Sequence, residues 1–176
     1  MSKILILVRH SKPENRVSSF KDFERSLTNE GISDSDKMAR FLLESGIIPD
    51  FILTSAAKRA IETSRIFAKT LKIGEKNIRS TRDLYYSSAN TILDQINGLS
   101  DTVNCLMIVA HNPGISELSR GLSSGKSSYM DNTQVSFLEY EIDHWSHINY
   151  EKPVNFKSIS IKDVVLINKF NNQQSL

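Results

Sequence analysis

Two segments of the chain are too uniformly apolar to leave a side facing water. Ile4-Leu5-Ile6-Leu7-Val8 and Cys105-Leu106-Met107-Ile108-Val109-Ala110 run without a polar interruption and are rich in branched side chains. A strand sends successive side chains to opposite faces, so an unbroken apolar run reads as a strand covered on both faces, as in a parallel sheet between helices. A third, shorter run, Phe51-Ile52-Leu53, follows the punctuation of Pro49-Asp50 and reads the same way. Chemistry-bearing residues come next in each case: Arg9 and His10 after the first run, Arg59 shortly after Phe51-Ile52-Leu53, and His111 after Cys105 to Ala110.

Helical segments separate the runs. Thr28 is a plausible N-cap with Glu30 in the first turn behind it, and Gly46 stands where a left-handed C-terminal residue is expected; Ile32, Ala39, Leu42 and Leu43 mark the expected buried stripe. Ser55 is expected to cap a second helix reaching about Leu71, with Ala57, Ala60, Ile61, Phe67, Ala68 and Leu71 at helical spacing and Arg59 in its first turn. Residues 77–80 read as a short strand, and 89–99 and 115–122 as helices, the latter with Pro113 at its start. The tail reads as two strands, 135–142 and 158–167, joined by a polar connection in a hairpin-like addition. Residues 11–27, with Pro13, Asn15, Ser18 and Ser19, lack periodicity and read as a long loop, a feature often functional in compact domains.

At 176 residues the chain fits one domain, residues 1–176. Its 22 basic and 20 acidic residues leave a net charge of +2, too small to suggest a nucleic acid or a membrane surface as partner. Any anion site must be local. Cys105 is the single cysteine, which excludes an intramolecular disulfide and a cysteine-built zinc site, and its neighbours make it a core thiol. The N-terminal apolar run ends at Arg9, too early for a signal peptide, and no window approaches the roughly 18 apolar residues of a membrane span. Cytoplasmic residence is the resulting expectation.

In open α/β sheets the ligand crevice lies outside the carboxyl ends of the strands. Arg9, His10, Arg59 and His111 all fall there. Together they suit phosphoryl transfer. A neutral imidazole is nucleophilic near physiological pH, so His10 is the candidate covalent nucleophile. Arginine offers planar, permanently charged donors to phosphoryl oxygens, the role assigned to Arg9 and Arg59, while His111 is placed to hydrogen-bond a phosphoryl oxygen. No metal or other cofactor is required. His144 and His147, three apart in a polar connection, read as solvated surface, Trp145 as a packing anchor, and the Ser123-Ser124-Gly125-Lys126-Ser127-Ser128 cluster as a flexible loop without P-loop spacing.

Four blocks, in order, carry a resemblance. Leu7-Val8-Arg9-His10-Ser11-Lys12, Arg25-Ser26-Leu27-Thr28-Asn29-Glu30-Gly31, Leu53-Thr54-Ser55-Ala56-Ala57-Lys58-Arg59-Ala60 with Thr63, and Val109-Ala110-His111-Asn112-Pro113-Gly114 resemble the signature segments of the histidine phosphatase superfamily. The first is similar to the variant form of its SixA-type phosphohistidine phosphatases. The resemblance implies a phosphoglycerate mutase-like fold, a three-layer α/β sandwich with a mostly parallel central sheet flanked by helices. It also implies His10 as phosphoryl acceptor, with Arg9, Arg59 and His111 completing the phosphate pocket and Arg25, Ser11 and Asn112 as further phosphate or substrate contacts. Ser11 stands where the family signature has glycine and would crowd or hydrogen-bond the phosphate. Arg25 would reach the phosphate or pair with a carboxylate such as Asp22.

Larger relatives bring a carboxylic acid to protonate an alkoxide leaving group. The best-placed candidate here is Asp83, which reads equally as a surface carboxylate. Imidazole departs readily, with a conjugate-acid pKa near 6.5, so a phosphoramidate needs such an acid less than an alkyl ester does. Little sequence remains for an enclosing lid. Both points favour phosphohistidine on a protein, such as a phosphotransfer domain, as substrate. The alternatives are a broad phosphomonoesterase taking small phosphate esters and a non-catalytic module that docks phosphoproteins.

Overall fold

The computed structural model describes residues 2–15 and 22–173, the last four as backbone only. Ser18 and Ser19, expected in the loop, lie outside the described residues. In chain order the elements are β1 (Lys3–Arg9), α1 (Asn29–Glu44), β2 (Phe51–Ser55), α2 (Lys58–Leu71), β3 (Ile78–Thr81), α3 (Ala89–Asn97), β4 (Cys105–Ala110), α4 (Gly114–Leu122), β5 (Val135–Tyr140), β6 (Asn155–Ile159) and α5 (Ile161–Gln173). The strands form one sheet in the order β3-β2-β4-β1-β5-β6. The first four run parallel, while β5 is antiparallel to β1 and β6 to β5.

The apolar runs are buried on both faces, as their lack of alternation requires. Ile6, Val8, Ile52, Met107 and Val109 pack against Met38, Ala39 and Leu42 of α1 and Phe67, Ala68 and Leu71 of α2. Leu5, Leu7, Leu53, Leu106 and Ile108 face the other way, against Ile92, Ile96, Ile115, Leu118 and the fully buried Trp145. The result is the expected three-layer α/β sandwich. Each such aliphatic side chain removed from water is worth about 1.5–3 kcal/mol, so these two interfaces supply most of the driving force. Cys105 sits among them, its thiol pushed up to about 12 by burial and then by Asp50.

Four expectations are corrected. In α1 the inward residues are Gly31, Ser35, Met38, Ala39 and Leu42, whereas Ile32 and Leu43 face solvent. The helix is turned because Gly31 lies against the backbone of Lys12, where a Cβ would meet Lys12 O at 2.3 Å. Residues 161–167 are helical, not extended: the Asp163 carboxylate accepts from Ser160 N at 2.8 Å and from Ser160 Oγ at 2.7 Å, starting α5 at Ile161. The serine cluster is partly internal, since buried Ser127 accepts from Ser119 Oγ at 2.8 Å and donates its backbone N–H to Ser123 Oγ at 2.9 Å. Ser55 belongs to β2, and α2 begins three residues later at Lys58, with Ala57 in the N-cap position.

At the start of α4, a Cβ on Gly114 would meet the carbonyl oxygen of Ser87 at 2.0 Å. This close approach pins the turn before α3 against the end of β4. Gly114→Ala is therefore expected to destabilise the fold by about 1–3 kcal/mol, the usual cost of forcing backbone apart. Gly121→Ala, whose Cβ meets nothing within 4 Å, should be neutral or stabilising. Urea unfolding of the two variants against wild type measures the difference.

Candidate active site

The parallel strands bring the conspicuous residues to one edge of the sheet. β1 ends in Arg9 and delivers His10, β4 delivers His111, and the first turn of α2 behind β2 delivers Arg59. They line a cavity of about 270 Å³ together with Pro13, Arg25, Tyr86, Asn112 and Asn132. No carboxylate lines it among the described residues, and residues 16–21, Arg-Val-Ser-Ser-Phe-Lys, contain none.

His10 is 6% exposed and its Nδ1 lies 2.8 Å from the carbonyl oxygen of Ser11. A carbonyl only accepts, so Nδ1 carries the proton and Nε2 keeps its lone pair. That lone pair accepts from Arg59 Nε at 3.2 Å. Burial, aided by Arg59, Arg9 and Arg25, holds His10 down to about 3 against the pull of the Ser11 carbonyl. The ring is neutral at ordinary pH and its nucleophilic atom points to the guanidinium.

His111 stands 4.8 Å from His10 between ring centroids and is buried. Its Nε2 is 2.7 Å from Ser55 Oγ, which itself accepts the backbone N–H of Ala57 at 3.3 Å. The serine proton is thus free to go to Nε2, placing the ring proton on Nδ1, an atom that meets no protein partner. Burial first, then His10 and Arg59, keep this ring unprotonated as well.

Arg59 is 1% exposed and is tied at its far end to Asp22, through Nη1 to the backbone oxygen at 2.6 Å and Nη2 to Oδ2 at 3.1 Å. Asp22 also accepts from Arg25 Nη1 at 2.8 Å, Tyr85 at 2.7 Å and Tyr86 at 3.2 Å. Burial pushes its carboxyl up, but the bonds from Arg25 and Tyr85, the Arg59 charge and the Tyr86 bond outweigh burial and hold it well below the usual carboxylate range. Arg25 pairs with Asp22, as one of the two sequence readings had it, and also lines the cavity. Arg9 donates through Nη1 to the carbonyl of Met130 at 2.9 Å, leaving its buried Nε without a protein partner.

Two candidates fall outside the cavity, and a third lines it with its amide already engaged. Ser11 does not line the cavity; its hydroxyl is buried on the far side of the loop between Ser35 Oγ at 2.6 Å and Thr133 Oγ1 at 2.7 Å. Asn112 reaches the rim but spends its amide on Met130 O and Ser116, holding the loop opposite. Asp83 is an exposed carboxylate that meets Gln95 at 3.4 Å and is not among the lining residues. Sequence reasoning missed Tyr85, Tyr86 and Asn132 and noticed Asp22 only as a partner for Arg25. The three-residue spacing of Asp22 and Arg25 and the paired tyrosines were the available signals.

A sequence model of the histidine phosphatase superfamily (branch 1) matches residues 5–86, the segment that holds Arg9, His10, Arg25 and Arg59. This segment of the chain is similar to the histidine phosphatase superfamily. A 2,3-bisphosphoglycerate-dependent phosphoglycerate mutase of Nocardia farcinica is 35% identical over 68 residues, 38% of this chain but only 28% of the mutase. An uncharacterized protein of Mycobacterium leprae is 29% identical over 119 residues, 66% of this chain and 71% of its own length. Among solved structures, the protein histidine phosphatase SixA complexed with tungstate superposes with a TM-score of 0.76 at 18% identity, covering 92% of this chain and 99% of that one. A phosphoglycerate mutase from Bacillus anthracis superposes at 0.67 with 16% identity, covering 96% of each. These likenesses establish the phosphoglycerate mutase-like fold. Among the described residues no cluster of three or more His, Cys, Asp or Glu is placed to hold a metal ion, and no helix is long and apolar enough to cross a membrane.

The two buried imidazoles make stability depend on pH. Both are neutral when folded but return to a pKa of about 6.5 in the unfolded chain, which then binds protons that the folded state refuses. Stability is full above about pH 6.5 and falls as pH drops below it, by at most about 1.4 kcal/mol per pH unit for each histidine. Urea midpoints measured from pH 7.5 to 5 should fall accordingly, and His111→Gln should lessen the slope. An unchanged slope in that variant would contradict a neutral His111.

Proposed function

We propose that the protein is a phosphatase that removes the phosphoryl group from phosphohistidine on another protein, through a covalent intermediate on His10 Nε2. The observation that carries this reading is the lone pair at Nε2, fixed by the Nδ1–H bond to Ser11 at the floor of a cavity ringed by guanidinium groups and lacking a lining carboxylate among the described residues. The protein histidine phosphatase SixA, which shares the fold, is complexed with tungstate, a tetrahedral oxyanion like phosphate.

In this mechanism Nε2 forms the bond to phosphorus as the bond to the departing nitrogen breaks, and the substrate ring, protonated on its other nitrogen, takes the electron pair and leaves as neutral imidazole. Arg9, Arg25 and Arg59 take the phosphoryl oxygens, supplying the fixed positive field on which phosphoryl transfer depends, without a metal ion. His111 donates through Nδ1–H to a phosphoryl oxygen. Positive charge building on His10 strengthens its Nδ1–H bond to the Ser11 carbonyl. Water then attacks phosphorus in the second step, returning the Nε2 lone pair and releasing inorganic phosphate.

A labelled phosphohistidine phosphotransfer protein, quenched rapidly in the presence of EDTA, should leave acid-labile phosphate on His10, and His10→Ala should leave none. Phosphohistidine should exceed aryl phosphates and aryl phosphates alkyl phosphates, because an alkoxide without a positioned proton donor forgoes a contribution of about 10²–10⁴ in rate. Asp83→Asn should leave this ranking intact. Efficient alkyl phosphate hydrolysis moves the protein to the phosphomonoesterase reading, and phosphoprotein binding with no label on His10 moves it to the docking module.

A further inference from the structure

Tyr86 combines three features that the chemistry above leaves unused. Its ring lines the cavity, yet the residue is 52% exposed. Its backbone lies at φ 49°, in the left-handed region that a tyrosine enters only at a cost. Its hydroxyl donates to Asp22 Oδ2 at 3.2 Å, while its ring stands 5.4 Å from the His111 ring and 5.7 Å from the Arg59 guanidinium. The Tyr85 ring lies closer still, at 4.7 Å between centroids, so an anchored hydroxyl and three ring contacts hold an aromatic surface beside the phosphate pocket, with about half of the residue in water.

In-line displacement puts the leaving group on the far side of phosphorus from the attacking atom. His10 is at the floor, 6% exposed, so the departing group lies toward the rim, where Tyr86 stands. The geometry points to Tyr86 as a stacking platform for a planar aromatic leaving group, of which the imidazole of phosphohistidine is the biological instance. This rests on the phosphatase reading for the identity of the ring, but not for the stacking itself. The ring is stacked both before and during bond breaking, so the platform acts as uniform binding and is read in affinity rather than in kcat. Aromatic pairs of this kind are worth about 2- to 12-fold.

Two pairs of probes differ only in what the ring adds. Phenylphosphonate and methylphosphonate carry a P–C bond that is not hydrolysed; phosphoimidazole and phosphoramidate carry a P–N bond with and without the ring. Calorimetry should find phenylphosphonate bound about 2- to 12-fold more tightly than methylphosphonate by the wild type. Tyr86→Phe should keep that ratio, and Tyr86→Asn, a residue at ease in the left-handed region, should bring it close to one. In turnover, Tyr86→Asn should raise the KM of phosphoimidazole relative to phosphoramidate by the same factor, with the ratio of kcat values unchanged. A phosphonate ratio near one in the wild type, or one that survives Tyr86→Asn, overturns the platform; the wild-type measurement decides even where the variant does not fold. Absence of turnover on both P–N substrates, with the phosphonate ratios as expected, overturns the phosphatase reading and supports the aromatic subsite.

Discussion

The Asp22 carboxylate is where the site is tied together. It is 2% exposed and receives Arg25, Arg59, Tyr85 and Tyr86, which come from three separate stretches: the approach to α1, the first turn of α2, and the turn before α3. The sheet brings these segments to one edge, and this carboxylate ties their side chains to one another. A buried charge is costly unless paired and hydrogen-bonded, and removing one partner of such a pair commonly costs about 3–5 kcal/mol because the other is left uncompensated. The arrangement is therefore held as a unit.

The charge balance around that unit explains the state of the histidines. Arg9, Arg25 and Arg59 face one cavity, and Asp22 pairs with both Arg25 and Arg59 while its single charge balances one of them. A further positive charge on His10 or His111 would be buried beside uncompensated guanidinium groups, and both imidazoles are held well below their ordinary range for that reason as well as by burial. Neutrality is what a nucleophilic imidazole needs. A phosphoryl group brings about −1.5 to −2 charges at neutral pH, close to the excess that the arginines present. The field that keeps His10 unprotonated also suits the proposed ligand.

Much of this was legible in the sequence because it follows from local rules. Unbroken apolar runs require cover on both faces, so β1, β2 and β4 and the edge to which Arg9, His10, Arg59 and His111 belong follow from pattern alone. Other features depend on which way a side chain turns in the finished fold. Ser11 is next to His10 in the chain, yet its hydroxyl completes a buried bond to Ser35, which the tight approach of Gly31 to Lys12 makes reachable. The role of Asp22 depends on tyrosines more than 60 positions away, a relation that no periodicity records. α5 was missed for a different reason: Ser158-Ile159-Ser160-Ile161 alternates like a strand and Val164 to Ile167 is an apolar run, whereas the helix is decided by the Ser160–Asp163 cap.

The contact between Arg59 Nε and His10 Nε2 imposes an order on the proposed reaction. One lone pair cannot accept a hydrogen bond and form a bond to phosphorus at the same time, so this N–H must find another acceptor as the phosphoryl group arrives. A phosphoryl oxygen is such an acceptor, and a charge-assisted hydrogen bond to it is roughly twice as strong as a neutral one. The guanidinium need not leave its place, because its Nη atoms stay anchored to Asp22 O and Oδ2. Until a better acceptor enters, Arg59 keeps the imidazole oriented and its nucleophilic nitrogen occupied. A ligand without a strong anionic acceptor gives Arg59 no reason to let go, so access to Nε2 is tied to the charge of what enters the cavity.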